Sequence, residues 1–159
     1  MNKIIFFDID RTIFDTSNFG LKTEEKISRL MSAKTEEVTD TKNRYKARLK
    51  EDTDFLPQEM LAEISKAFNY PYEKLFKAYF EDLKNFNDSI YEDALIVLET
   101  LRQRGYRIGI FSEGDKEFQE MKIINHKIYM CFDQDLIFIS KRKLTREFLK
   151  TIPYGSTIV

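Results

Sequence analysis

A short apolar run that ends in two aspartates constrains this chain more than any other feature. Residues Ile4 to Phe7 are all β-branched or aromatic, which is typical of a strand buried on both faces of a parallel sheet. Asp8 and Asp10 follow directly, and in extended backbone side chains two residues apart point to the same side. Two such carboxylates repel each other unless a cation such as Mg²⁺ or a charged ligand holds them. Taken alone, an Asp-x-Asp more often marks two solvated turn residues.

The remaining chain alternates between helical and strand patterns. Apolar residues recur at 3.6-residue spacing from Thr23 to about Phe86, which predicts a block of helices. Apolar runs at 106–111, 136–139 and 157–159 predict three further strands with helices between them. Gly105 is expected to end the helix before the second strand in a left-handed conformation. This alternation predicts an α/β fold with a parallel sheet, which binds ligands at the carboxyl ends of its strands.

The charge balance and the rarest residue types exclude several classes of protein. The 159 residues include 26 Lys and Arg against 27 Asp and Glu, a net charge of -1, so we expect no nucleic-acid or membrane partner. Cys131 and His126 are the only residues of their types, which excludes an intrachain disulfide and a zinc site of Cys and His. Both are predicted to be structural. The first apolar run is far too short for a signal or a membrane span, and a cytoplasmic protein is expected.

The first strand and the residues after it resemble a known family. The string from Ile4 to Asp15, IIFFDIDRTIFD, closely resembles the first motif of the haloacid dehalogenase (HAD) superfamily, a hydrophobic strand followed by Asp-x-Asp-x-Thr. Arg11 stands where that family usually has glycine, and it adds a cation beside the site. The resemblance implies a Rossmann-like parallel sheet with an inserted all-helical cap of the C1 type. The core would then comprise residues 1–16 and 88–159, and the cap residues 17–87.

The same resemblance implies roles for the residues of this motif. Asp8 would attack a phosphoryl group to give an aspartyl-phosphate, while Asp10 would protonate the leaving oxygen and then activate water. The Asp8 carboxylate and the Asp10 main-chain carbonyl would bind Mg²⁺. Thr12 and Ser112, the latter at the end of the second strand, would orient phosphate oxygens. Arg11 is a further candidate for substrate binding.

Two later features of the family are a lysine after the third strand and acidic residues after the fourth. Lys143 is the preferred lysine because it stands before a helix that Thr145 would cap, and Lys141 is the alternative. A solvated basic loop is the other interpretation of this run. The chain ends at Val159, where the acidic residues would begin. We therefore expect either a truncated sequence, which is favoured, or a degenerate member with weak metal binding and weak activity.

The cap block contains two patterns with competing interpretations. Alternate basic residues on one predicted helix could meet an anionic substrate, although a solvated face is favoured. An aromatic stripe on a later helix is predicted to pack in the cap core against the preceding helix. The basic residues are Lys42, Arg44, Lys46, Arg48 and Lys50, the stripe is Tyr72, Phe76, Tyr79 and Phe80, and the facing residues are Met60, Ile64 and Phe68.

Together these features predict a hydrolase of HAD type. The leading hypothesis is a Mg²⁺-dependent phosphatase that acts on a small phosphorylated metabolite. True dehalogenases of the family lack the second aspartate, so Asp10 favours phosphate chemistry, with phosphotransfer to another sugar phosphate left open. The alternative is a catalytically impaired or truncated HAD-like domain with a binding or regulatory role. The sequence indicates neither the substrate nor the oligomeric state.

Overall fold

The computed structural model describes residues 3–50, 53–85, 89–124, 126–142 and 144–159. The chain divides into two compact units. One comprises Met1–Thr16 and Asn87–Val159, and the other comprises Ser17–Phe86. The first unit contains the sheet, and the described residues of the second form helices and the short connections between them, as the sequence pattern predicted.

The sheet has four parallel strands in the order β3-β2-β1-β4. All four strands were predicted from apolar runs, so the α/β class is confirmed. β2 continues two residues beyond its predicted end, which brings Ser112 into the strand itself. The strands are β1 (Ile4–Phe7), β2 (Arg107–Glu113), β3 (Ile137–Ser140) and β4 (Thr157–Ile158).

Seven α-helices lie in the described ranges, and two short 3₁₀ helices precede β3. None of these helices combines the length and apolar character that crossing a membrane requires. The α-helices are α1 (Thr16–Met31), α2 (Thr35–Arg48), α3 (Pro57–Phe68), α4 (Tyr72–Asn85), α5 (Glu92–Gln103), α6 (Lys116–Ile124) and α7 (Arg146–Leu149).

Two residues at helix ends were predicted from the sequence, and the structure confirms the first prediction and shows the second to be wrong. Gly105 has a φ of 80° after α5, so the predicted left-handed end is confirmed. Asn69 belongs to a residue type that commonly caps helix starts, and the sequence alone predicts that it caps the helix opened by Pro71. Instead, Asn69 ends α3 with a φ of 47°. Asparagine adopts this left-handed conformation more readily than most residues, so it suits the end of a helix as well as the start.

The helical unit is held by the apolar faces that the sequence predicted. Met60 and Ile64 of α3 are buried, and α3 packs against α4. Tyr79 and Phe80 of α4 are buried as well, and their rings meet at 5.3 Å between centroids. Tyr79 and Phe80 of the aromatic stripe therefore belong to the core of this unit, whereas Tyr72 and Phe76 are half-buried.

Most of the basic residues of α2 are used inside the helical unit. Lys42 pairs with the buried carboxylate of Glu24, and Arg48 pairs with Glu63 of α3. Lys46 lies 5.3 Å from the centroid of the Phe55 ring, a favourable cation–π distance. Arg44, Lys46, Arg48 and Lys50 are nevertheless exposed, as expected for the favoured solvated face, and Lys42 is half-buried.

Gly109 allows β1 and β2 to pack closely in the centre of the sheet. It pairs with Phe6 across the two strands, and the Phe6 ring is fully buried against Phe111 and Leu136. A Cβ at position 109 would lie 2.4 Å from a ring carbon of Phe6 and 2.5 Å from the Leu136 carbonyl oxygen. Because the second neighbour is backbone, it cannot move aside cheaply.

Substituting alanine at two glycines should therefore have opposite effects on stability. Gly109→Ala is expected to lower the free energy of unfolding by about 3 kcal/mol through overpacking. Gly20→Ala, within α1, meets only ordinary contacts at 3.8 Å and should raise it by about 0.5 to 1 kcal/mol through helix propensity. Urea denaturation measures both. A stable Gly109→Ala variant would contradict the described register of β1 and β2.

The single histidine should impose a pH dependence on folding. His126 is buried, and burial lowers its pKa below the ordinary 6.5. The unfolded chain therefore binds more protons, so this contribution to stability is complete above about pH 6.5 and is lost as the pH falls. The slope cannot exceed about 1.4 kcal/mol per pH unit for one proton. His126→Asn should flatten the change in unfolding free energy between pH 5.5 and 7, and an unchanged slope would exclude His126 as its source.

Candidate functional site

The end of β1 places Asp8 beside the end of β2. The Ser112 hydroxyl donates to Asp8 Oδ1 at 2.7 Å, and the Ile9 main-chain N–H donates to the same oxygen at 2.8 Å. Ser112 is fully buried, so its hydroxyl has a fixed environment. This bond orients the Asp8 carboxylate at the carboxyl edge of the sheet, where parallel α/β proteins bind ligands.

A tight turn follows Asp8 and sets the direction of Asp10. The Ile9 carbonyl accepts hydrogen bonds from the main-chain N–H groups of Ile13 and Phe14, at 3.0 and 2.8 Å. Ile9, Ile13 and Phe14 are almost completely buried, which anchors both ends of the turn. The polar residues between them are therefore held at the edge of the sheet by apolar packing on either side.

The Asp10 carboxylate is held by side chains from two other segments. The Lys122 ammonium of α6 donates to both of its oxygens, at 2.7 and 2.8 Å. The Gln119 amide donates to Oδ2 at 2.8 Å, and the Thr16 hydroxyl donates to Oδ1. Charge-assisted bonds of this kind are the stronger ones in proteins. Four bonds from three side chains leave Asp10 with a defined orientation.

Lys122 is a buried cation. Its side chain is 3% exposed, its ammonium also donates to Gln119 Oε1 at 3.1 Å, and it lies 4.6 Å from the centroid of the Phe118 ring. Burial lowers the pKa of Lys122, and the charges of Asp10 and Asp8 oppose that change. For Asp10, burial raises the pKa, but the charge and hydrogen bonds of Lys122 outweigh it and lower the pKa. The hydrogen bonds and charge of Lys122 thus favour the ionised form of Asp10, whereas burial acts against the charge on Lys122.

The structure brings together three of the residues that the sequence singled out. Asp8, Asp10 and Ser112 lie at one edge of the sheet. Ser112 is hydrogen-bonded to Asp8, and the Lys122 ammonium binds Asp10 and interacts electrostatically with Asp8. Lys143, the preferred lysine, lies outside the described residues. Lys141 is exposed after β3, and the described contacts do not bring it to either aspartate. Its proposed role in substrate binding stays a prediction.

Thr12 and Arg11 occupy the turn itself. Thr12 is half-buried, and its main-chain N–H donates to the Ile9 carbonyl at 3.4 Å. Arg11 is exposed, and its φ of 61° lies in the left-handed region. Glycine enters this region without steric cost, so the turn keeps a glycine-like geometry although arginine occupies the position.

Sequence reasoning missed Lys122, Gln119 and Thr16. A signal existed in α6, where Phe118, Gln119, Lys122 and Ile123 form the buried face. Gln119 and Lys122 are thus polar residues at positions where the helical spacing calls for apolar ones. Because lysine is rarely buried without a partner, such an interruption indicates a buried carboxylate elsewhere in the fold.

The donor chemistry of the site suits a hard cation. Within the described residues there is no group of three or more His, Cys, Asp and Glu side chains placed to hold a metal. Mg²⁺, however, usually keeps several waters and takes one or two carboxylates together with substrate phosphate. The Asp8 carboxylate and the Asp10 main-chain carbonyl provide oxygen donors of that kind, while the Asp10 side chain is engaged by Lys122.

Comparison with known proteins identifies the family. The family model described as haloacid dehalogenase-like hydrolase matches residues 5–142, which is most of the chain. The chain belongs to this family. It is therefore a HAD-type hydrolase, and its four-stranded parallel sheet with helices is the HAD-like fold. No curated protein sequence matches it significantly.

Solved structures of HAD proteins share this fold. YfnB from Bacillus subtilis, a HAD-type hydrolase with bound magnesium, aligns with a TM-score of 0.64 and 16% identity over 99% of this chain and 77% of its own. The defluorinating L-2-haloacid dehalogenase Rha0230 aligns with a TM-score of 0.65 and 14% identity, over 99% of this chain and 72% of its own. A HAD phosphatase from Thermococcus onnurineus aligns with a TM-score of 0.53 and 21% identity, over 99% of this chain and 76% of its own. Identities this low establish the fold alone.

Removing the buried cation should destabilise the α/β unit. Lys122→Met leaves the Asp10 carboxylate without its charge partner and should cost about 3 kcal/mol of unfolding free energy. Lys116→Met is the matched control on the same helix, because Lys116 is 70% exposed and should change stability by less than about 0.5 kcal/mol. Equal effects of the two substitutions in urea denaturation would show that Lys122 contributes no buried ion pair.

Proposed function

We propose that this protein is a Mg²⁺-dependent phosphohydrolase that acts on small phosphorylated metabolites. The observation that supports this most is the arrangement of Asp8 and Asp10, with one carboxylate oriented by Ser112 and the other by Lys122. This gives the edge of the sheet one carboxylate suited to attack and a second suited to proton transfer. Membership of the HAD-like hydrolase family supports hydrolysis as the reaction type.

In the proposed reaction an oxygen of Asp8 attacks phosphorus and forms an oxygen–phosphorus bond. The bond from phosphorus to the leaving oxygen breaks, and its electron pair departs with that oxygen. In the second step water attacks phosphorus of the aspartyl-phosphate and passes a proton to Asp10. The bond between the Asp8 oxygen and phosphorus breaks, its electron pair returns to the Asp8 carboxylate, and inorganic phosphate leaves. The Ser112 hydroxyl keeps Asp8 aligned at 2.7 Å before the attack.

Asp10 is better suited to the second step than to the first. Lys122 lowers the pKa of Asp10, and an ionised carboxylate accepts a proton from water directly. To protonate a leaving oxygen, Asp10 must first bind a proton, which the buried ammonium of Lys122 opposes. Esters with weakly basic leaving groups, such as p-nitrophenyl phosphate, should therefore be the better substrates.

Mg²⁺ fits the site as an auxiliary charge. The Asp8 carboxylate and the Asp10 main-chain carbonyl would hold it, and when bound it would neutralise charge on the phosphoryl oxygens. The requirement follows from simple electrostatics, because Asp8 and a phosphate dianion repel each other. Lys122 offsets one negative charge, and that charge belongs to Asp10.

Two alternatives remain in the same family. A haloacid dehalogenase would use Asp8 on carbon, but by resemblance such enzymes lack the second aspartate that this chain has in Asp10. A catalytically impaired HAD-like domain with a binding or regulatory role is the second alternative.

Phosphatase activity and its dependence on each aspartate test the proposal. Hydrolysis of p-nitrophenyl phosphate is expected with Mg²⁺ and not with EDTA. Asp8→Asn should lower kcat by about 10³-fold or more, since the nucleophile is lost while the shape is kept. Asp10→Asn should lower it by roughly 10² to 10⁴-fold, in the range of general acid–base catalysis. Asp93→Asn, at an exposed position of α5, is the matched control and should be neutral.

The outcomes separate the alternatives. Chloride release from 2-chloropropionate without phosphatase activity would identify a dehalogenase. If neither ester nor halide is turned over, while inorganic phosphate still binds, the binding-domain alternative holds. Equal ester hydrolysis by Asp8→Asn and the unaltered protein would remove Asp8 as nucleophile.

A further inference from the structure

Arg11 is held in a backbone conformation that costs an arginine free energy. Its φ is 61°, where the Cβ of an L-residue crowds the following carbonyl, whereas glycine has no such contact. The turn cannot relax easily, because the Arg11 N–H donates to the Phe14 carbonyl at 2.9 Å and Ile9, Ile13 and Phe14 are buried. The fold therefore imposes the conformation, and the arginine side chain contributes nothing to it. Strain of this kind at a functional site points to a role for the side chain.

The guanidinium of Arg11 is exposed and is not used to hold the fold. Within the described ranges its side chain makes no hydrogen bond, ion pair or ring contact. Two other cations of the α/β unit differ in this respect, since Lys122 is bound to Asp10 and Arg142 pairs with Glu113. Arginine stays charged at any physiological pH. A permanent positive charge is thus available to a ligand on the residue that follows Asp10.

The depth of the site separates this charge from the reacting phosphoryl group. Ser112 is fully buried and Lys122 is 3% exposed, so these two residues mark the inner part of the site, and the Asp10 side chain that Lys122 binds is 32% exposed. Arg11 lies at the solvent side of the same turn. A phosphoryl group that reacts at Asp8 would occupy the inner part, and Arg11 would face the rest of the substrate.

We propose that Arg11 binds a second anionic group of the substrate. The substrate class is then a phosphate monoester that carries a further carboxylate or phosphate, since the planar guanidinium matches both groups with paired hydrogen bonds. This inference rests on the proposed function for the inner part of the site. In this proposal Arg11, in the outer part of the site, selects substrates by their second anionic group.

A binding experiment tests the inference without requiring catalysis. Phosphonoacetate and phosphonoacetamide are non-hydrolysable and differ only in a carboxylate against a neutral amide. Calorimetric titration with Mg²⁺ present should show phosphonoacetate binding roughly tenfold more tightly to the unaltered protein, as expected for one charge-assisted contact. Arg11→Asn should abolish that preference, and Arg11→Lys should retain part of it.

The variants are chosen so that folding does not obscure the result. Asparagine tolerates the left-handed region, so Arg11→Asn should fold as stably as the unaltered protein. Ser32→Gly is the matched control, because Ser32 has a φ of 56° and its replacement relieves similar strain without removing a cation. It should leave the phosphonoacetate preference unchanged.

Hydrolysis of 4-carboxyphenyl and 4-carbamoylphenyl phosphate gives a second, independent measurement. Arg11→Asn should lower kcat/KM for the carboxylate ester roughly tenfold through KM and leave the amide ester unchanged. A phosphonoacetate preference that persists in Arg11→Asn overturns the inference, as does its absence in the unaltered protein. Loss of the preference in Arg11→Asn, together with no hydrolysis that depends on Asp8, would support the anion site and overturn the proposed phosphatase.

Discussion

The ion pair between Lys122 and Asp10 is the interaction on which the rest of the site depends. Two aspartates separated by one residue at the end of a buried strand repel each other, and the 3% exposed ammonium of Lys122 offsets that repulsion at 2.7 and 2.8 Å from Asp10. A buried ion pair of this kind gains little net stability, because desolvation opposes the attraction. Its value lies in fixing the second carboxylate at a known position beside the first.

The fold creates this pair by bringing together segments that are 112 residues apart in sequence. β1 and β2 are neighbours in the sheet, and α6 begins directly after β2. Gly114, with a φ of 129°, makes the turn between them, and an added Cβ there would lie 2.9 Å from the Gln119 amide. The short connection thus delivers both Gln119 and Lys122 to the carboxyl edge of the sheet where β1 delivers Asp10.

Short sequence patterns predicted those parts of the structure that depend on residues close together in the sequence. The four strands, the left-handed Gly105 and the cap of α7 by Thr145 follow from hydrophobic runs and turn chemistry. Lys122 left only an indirect signal, as a polar residue on the apolar face of α6, and that spacing does not identify its partner, because Asp10 lies far away in sequence. The sequence therefore located the two carboxylates but not the cation that holds the second of them.

A double-mutant cycle between Asp10 and Lys122 tests this account most directly. Unfolding free energies of the unaltered protein, Asp10→Asn, Lys122→Met and the double variant give the coupling between the two side chains. The account predicts a favourable coupling of about 2 to 3 kcal/mol, with the double variant more stable than Lys122→Met alone, because the uncompensated carboxylate is then absent. Additive effects, within about 0.5 kcal/mol, would contradict it.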